Sequence, residues 1–171
     1  MTNKKIRMNL GAGPDKINGV LSVDINPKWK PDILDDIRTL KKVKDNSVDE
    51  FFATNVLEHI AQCEVKQILK LWYNKLKDNG KILILVPNLK IFCTLWVNGY
   101  IEEEWGFKAL YSSHKSLDTA EHHKSGYSRK YLTKLLFEAG FKCVDDVNAA
   151  KPTPNCELCL VAHKNKLGDK N

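Results

Sequence analysis

Asn9-Leu10-Gly11-Ala12-Gly13-Pro14 ends a short run that starts at Ile6 and alternates apolar with polar residues. Eleven residues after Gly13 comes Asp24, within Ser22-Val23-Asp24-Ile25-Asn26. A glycine just after a strand lets the backbone approach a ligand closely, because no Cβ stands in the way. A carboxylate at the end of the next strand accepts hydrogen bonds from ribose hydroxyls. An ordinary Gly-Pro turn is the alternative reading of the same residues. A dinucleotide site needs Gly-x-Gly-x-x-Gly, with the acidic residue about 20 positions further on. Here Lys16 stands where the third glycine belongs, and Gly19 comes three residues too late. Pro14 also removes an amide donor that a pyrophosphate cradle uses. The stretch therefore argues against a pyrophosphate, and with it against a nicotinamide reductase. A cofactor with a ribose but no phosphates fits.

Outward from this loop, short apolar runs alternate with turn signals through the first ninety residues, as in α/β proteins. Strands are expected at Ile6–Leu10, Val20–Ile25, Asp32–Ile37 and Val48–Thr54. From Asn55 a helix is expected, with Ile60, Val65, Ile68, Leu69, Trp72 and Leu76 on its apolar face. Asp78-Asn79-Gly80 should end it and turn the chain. Lys81–Val86 is a continuous apolar run, the mark of a strand buried on both faces of a parallel sheet. Residues 88–127 show no clean period and read as an insertion or lid over the sheet's carboxyl edge. Ser128–Ala139 reads as a helix with Ser128 as N-cap and Gly140 as its stop. Phe141–Val147 and Cys156–His163 read as strands, with a loop at Lys151–Pro154 between them. The expected fold is α/β, an open doubly wound, mostly parallel sheet with an antiparallel last strand. One domain is expected over residues 1–171.

The chain has 171 residues, 27 basic and 21 acidic side chains, and a net charge of +6. A positive balance suggests an anionic partner, such as nucleic acid or a nucleotide sugar. Against this, lysines are spread along the whole chain and the arginines are only Arg7, Arg38 and Arg129. A solvated lysine surface is favoured over a nucleic-acid patch. Cys156 and Cys159 form one Cys-x-x-Cys, with no second pair for a structural zinc site. No metal is expected. No run reaches the roughly 18 apolar residues of a membrane span, and no signal peptide is seen, so a cytoplasmic protein without membrane contact is expected.

The chain resembles the class I S-adenosylmethionine-dependent methyltransferases. The matching stretches are Leu10-Gly11-Ala12-Gly13, Val23-Asp24-Ile25, Asp35-Asp36-Ile37, Asn46-Ser47-Val48-Asp49, Asn55-Val56-Leu57-Glu58-His59-Ile60, Leu76-Lys77-Asp78-Asn79-Gly80-Lys81 and Ala139-Gly140-Phe141. They occur in the family's order. The resemblance implies a Rossmann-like methyltransferase fold and S-adenosylmethionine as cofactor. It implies cofactor contacts at Leu10, Gly11, Ala12, Gly13, Asp24, Ile25, Asp36, Ile37 and Asn55. Gly11 and Gly13 would lie under the methionine part, Asp24 would hold the ribose, and Asp36 with the Ile37 backbone would meet the adenine edge. Asn55 would contact the methionine group. Glu58 and His59 could instead cap and pack a helix start. The sequence departs from the family in its first crossover, where Gly11–Gly19 leaves no room for the usual helix. This compressed form resembles small methyltransferases of glycan modification. Larger relatives often cover the cofactor with an N-terminal extension, a task expected here of residues 88–127.

Methyl transfer from a sulfonium is an in-line displacement, so positioning supplies most of the acceleration. A base is needed only when the acceptor must lose a proton, as a hydroxyl does. Ligands of open α/β sheets bind at the carboxyl ends of the strands. The insertion places His114, His122 and His123 near that edge, together with Tyr100, Trp105, Tyr111 and Tyr127. Relatives often carry a histidine and then an aromatic residue just before the following helix. By that likeness His123 is the expected base, with His59, His122 and Tyr127 as substrate contacts. A surface histidine beside a helix start is the alternative. The expected acceptor is a small molecule or glycan, through oxygen. Nucleic-acid or protein methylation is the alternative, disfavoured because Asn55-Val56-Leu57-Glu58 lacks the Asn/Asp-Pro-Pro-aromatic pattern of amino-directed enzymes. A non-catalytic cofactor-binding module is a third reading, and the oligomeric state is left open.

Overall fold

The computed structural model describes residues 5–112, 121–147 and 156–165. Seven strands form one sheet: β1 (Arg7–Leu10), β2 (Leu21–Asp24), β3 (Ile33–Leu34), β4 (Val48–Thr54), β5 (Leu76–Pro87), β6 (Cys143–Asp146) and β7 (Glu157–His163). Their order is β3-β2-β1-β4-β5-β7-β6. The pairs β1·β2, β1·β4, β2·β3 and β4·β5 are parallel. β7 is antiparallel to both neighbours, β5 and β6. The expected doubly wound sheet with an antiparallel last strand is present.

The helices are α1 (Val65–Lys75), α2 (Leu89–Val97), α3 (Glu103–Tyr111) and α4 (Arg129–Ala139). α1 and α4 lie side by side. Ile68, Leu69 and Trp72 of α1 and Leu132, Leu136 and Ala139 of α4 join Phe51, Ile82, Ile84 and Leu160 of the sheet in one core. Trp72 is fully buried, and its Nε1 donates to the Ile37 carbonyl at 2.9 Å. That bond ties the helix to the segment after β3. Trp72→Phe keeps an aromatic ring of smaller size but strands this carbonyl, and a loss of about 2 kcal/mol or more in urea unfolding is expected. α4 begins and ends as its sequence dictates. Ser128 Oγ accepts from the Tyr131 amide, and Gly140 takes φ +115°, open only to a residue without a Cβ clash.

Three expectations need correction. First, the helix after β4 starts at Val65, not Asn55. Asn55 takes φ +51°, which an Asn tolerates, and Leu57–His59 forms a single 3-10 turn. Second, Asp78-Asn79-Gly80 does not end the helix. α1 ends at Lys75, Leu76 is already extended, and the triplet lies in β5 as a bulge where the register against β4 shifts. Third, residues 88–127 contain regular structure, namely α2 and α3. These two pack on each other through Trp96 and Phe107, whose ring centroids are 5.1 Å apart. Gly106 leaves the room that Trp96 fills. A helix pair that buries so little on the sheet carries no sharp apolar stripe, so its period was faint. The first crossover has no helix, as expected: residues 11–20 run as turns. Among the described residues no helix is long and apolar enough to cross a membrane. His114 and the loop Lys151–Pro154 lie outside the described residues.

Candidate active site

The predicted cofactor residues gather at the carboxyl edge of β1–β4. Leu10 and Ala12 are buried, so they offer a ligand only backbone. Gly11 and Gly13 both take left-handed φ, +61° and +55°. They differ in surroundings. A Cβ on Gly11 would collide with the Val56 side chain, whereas one on Gly13 would meet nothing within 4 Å. Gly11 is thus required by packing, and Gly13 opens the loop toward solvent. Asp24 at the end of β2 is 8% exposed. Its two carboxylate oxygens accept from the Gly13 and Asn26 amides, both at 2.8 Å. The carboxylate is fixed beside the loop, with further lone pairs for a hydroxylated ligand. Ile25 is largely exposed next to it. Thr54 and Asn55 are exposed where β4 ends.

Asp36 needs a revised role. Its carboxylate is held by Arg38 Nε and Nη2 at 3.0 and 2.7 Å, and by the Arg38 amide. The Arg38 hydrogen bonds hold its carboxyl below the usual range. It therefore braces the turn after β3, and an adenine would have to share it with Arg38. Asp35 accepts from the Asp36 and Lys42 amides. The Ile37 carbonyl is taken by Trp72, as described above.

Beyond Val56 the chain enters a second centre. Glu58, in the 3-10 turn, is 2% exposed, and its Oε2 is buried without a hydrogen-bond partner. Burial pushes its carboxyl up to about 7. Beside it stand His59 and His123, with ring centroids 5.1 Å apart. One ligand atom from each of the three residues falls within 4.8 Å of the others. His59 Nδ1 bonds the His122 carbonyl at 3.3 Å, and His123 Nδ1 bonds the Ala109 carbonyl at 3.1 Å. A carbonyl only accepts, so each Nδ1 carries the proton and each Nε2 keeps a lone pair. Burial lowers both imidazole pKa values, for His59 with help from the neighbouring His123. Glu58 and His123 line a cavity of about 260 Å³, closed by Pro87, Leu89, Ala109 and Tyr127.

His123 thus lines the cavity, and His59 stands against its ring without lining the cavity itself. His122 contributes its carbonyl to His59 and is not among the residues lining the cavity. Tyr127 is in the wall, but its hydroxyl is engaged by Ser125 Oγ at 2.7 Å and the Leu57 carbonyl at 3.3 Å. Burial raises its pKa further, so it shapes the cavity and is a poor proton donor. The capping reading of Glu58 fails, because α1 begins seven residues later and has no side-chain cap. The Glu58 carbonyl instead accepts from the Lys124 and Ser125 amides, clipping the histidine segment onto the turn. Glu58 was the missed site residue. Its signal was a lone carboxylate within the apolar run Val56-Leu57-Glu58-His59-Ile60.

The arginines elsewhere are engaged at the surface. Arg38 pairs with Asp36, Arg129 with Asp146, and Arg7 donates to the Gly19 carbonyl. Cys156 is half-buried and Cys159 buried, and neither falls in a metal-competent group among the described residues.

No protein-family model and no curated protein matches this sequence. Solved structures do. A methyltransferase dependent on S-adenosylmethionine from Archaeoglobus fulgidus superposes with TM-score 0.60 at 18% identity, covering 94% of this chain and 87% of that one. Another from Methanosarcina mazei gives 0.64 at 16%, over 95% and 93%. The CurJ carbon methyltransferase gives 0.63 at 18%, over 97% of this chain and 50% of that one. The chain therefore has the Rossmann-like fold of the class I S-adenosylmethionine-dependent methyltransferases.

Proposed function

We propose that this protein is an S-adenosylmethionine-dependent methyltransferase acting on an oxygen of a small or glycan-type acceptor. The observation that carries this reading is the junction at Val56. Val56 packs against Gly11 of the glycine loop, and two residues on Glu58 opens into the cavity. A cofactor shelf and an acceptor pocket thus stand side by side on one sheet edge. The shelf fits the cofactor. Gly13 leaves open space, and Asp24 offers a fixed carboxylate of the kind that holds ribose hydroxyls. Gly11–Gly13, Asp24 and Asn55 would hold it.

When bound, this cofactor supplies a methyl group already activated as a sulfonium. What remains for the chain is alignment and one proton. The acceptor enters the cavity of about 260 Å³, which takes one end of a ligand. Its hydroxyl meets Glu58 and His123, with His59 beside them. These groups are neutral or near their titration point, so they can hold the oxygen and disperse the charge it gains. The three arginines lie far apart in the sequence and two of them are paired with carboxylates, which supports a small acceptor over a nucleic acid.

The test is calorimetry with S-adenosylhomocysteine. Wild type binds, and Asp24→Asn, which removes the charge but keeps the shape, weakens binding by about 100-fold, the worth of hydrogen bonds to a charged group. Equal affinity in the two proteins would remove Asp24 from the site.

A further inference from the structure

We propose that Glu58, His59 and His123 form a binding site for one divalent transition cation at the floor of the acceptor cavity. Four features of the three residues point to it. One ligand atom of each residue lies within 4.8 Å of the other two. Glu58 Oε2 is buried and lacks any hydrogen-bond partner, although the residue is only 2% exposed. A buried carboxylate oxygen left without a donor is costly, and a cation satisfies it. Both imidazoles donate Nδ1–H to a backbone carbonyl, from His59 to His122 and from His123 to Ala109. That is the arrangement that orients a metal-ligating histidine and leaves Nε2 for the metal. Lastly, the surrounding chain is clipped in place, with the Lys124 and Ser125 amides on the Glu58 carbonyl.

Two imidazoles and one carboxylate suit zinc, manganese, iron(II) or cobalt(II) better than calcium, which prefers all-oxygen shells. Metal bonds of about 2.1 Å put tetrahedral ligands roughly 3.4 Å apart, so the three groups close onto a cation by small side-chain rotations. Three protein ligands leave at least one position open, and Glu58 and His123 line the cavity. The role assigned to the cation rests on the methyl-transfer reading; its binding does not. In that role an acceptor hydroxyl coordinates through oxygen and becomes more acidic, and its proton passes to solvent. The oxygen–carbon bond then forms as the sulfur–carbon bond breaks, and the electron pair of that bond returns to sulfur.

The experiment uses the untagged full chain, stripped with a chelator and dialysed. Cobalt(II) is titrated in and followed by its visible absorption, with zinc competition, while S-adenosylhomocysteine binding is measured separately. The expected result is one cobalt per chain in wild type and in His163→Ala, whose histidine sits on β7 away from the cavity. Glu58→Gln and His123→Ala should each weaken uptake by more than about 100-fold, exceeding the usual effect of an outer partner. A cooperative urea transition in these variants shows that they are folded. No stoichiometric cobalt in wild type, or unchanged uptake in Glu58→Gln and His123→Ala, overturns the proposal. If cobalt is absent while S-adenosylhomocysteine binds, only the cation site falls. If cobalt binds and S-adenosylhomocysteine does not, the methyl-transfer reading falls and the site stands.

Discussion

Gly11→Val is expected to abolish S-adenosylhomocysteine binding, with affinity falling by more than about 100-fold. Two costs act together. Gly11 holds φ +61°, where a non-glycine residue is penalised by roughly 1–2 kcal/mol and a β-branched one by more. Any Cβ there also runs into Val56, which is itself buried against the core. The loop must move, and the Gly13 amide moves with it, off the Asp24 carboxylate. Gly13→Ala is the informative partner. It has the same handedness problem but nothing within 4 Å to strike, so it should cost only about 1 kcal/mol of stability. Its methyl group nevertheless enters the space assigned to the ligand, and affinity should drop at least about tenfold. Urea unfolding and calorimetry on both variants separate the two effects. Unchanged binding in both would show that the ligand lies elsewhere.

Glu58→Gln should eliminate methyl transfer, by about a thousandfold or more, while making the metal-free chain more stable at neutral and higher pH. Burial lifts the Glu58 carboxyl from 4.5 to about 7. In the window between these values the unfolded chain has released the proton and the folded chain still holds it. The folded state binds more protons, so stability falls as pH rises. The contribution is fully present below the unfolded value and lost by about pH 7. A shift of this size corresponds to about 3 kcal/mol. Glutamine cannot ionise, so the difference between wild type and variant should widen across that window and level off above it. Urea unfolding in chelator from pH 5 to 8 checks this. A constant difference across that range would mean that Glu58 is charged and satisfied in the folded chain.

Much of the fold was legible because its signals are local. β4 spans the predicted Val48–Thr54, where a β-branched and aromatic run ends at Asn55. α4 announced both ends, with Ser128 able to reach an amide and Gly140 able to take positive φ. The proposed cofactor shelf is legible for a similar reason, since Gly11 and Gly13 take a left-handed backbone that few residues permit and the Asp24 carboxylate sits beside them. What was not legible depends on partners distant in sequence. Asp78-Asn79-Gly80 looked like a helix stop, but pairing with β4 turned it into a bulge. Glu58 looked like a helix-start residue, yet the turn at Leu57–His59 aims it inward, toward a histidine 65 positions away. That meeting is produced by the clip from the Glu58 carbonyl to Lys124 and Ser125, which no periodicity encodes.

The central claim is that the edge of β1 and β2 holds an adenosyl cofactor without phosphates. The most direct measurement is calorimetric titration of the wild-type chain with S-adenosylhomocysteine, with NAD as the comparison ligand. The account predicts one site per chain for S-adenosylhomocysteine, a raised melting temperature at saturation, and no heat with NAD. Silence at millimolar S-adenosylhomocysteine from a folded sample, or saturable binding of NAD to the same protein, would contradict it.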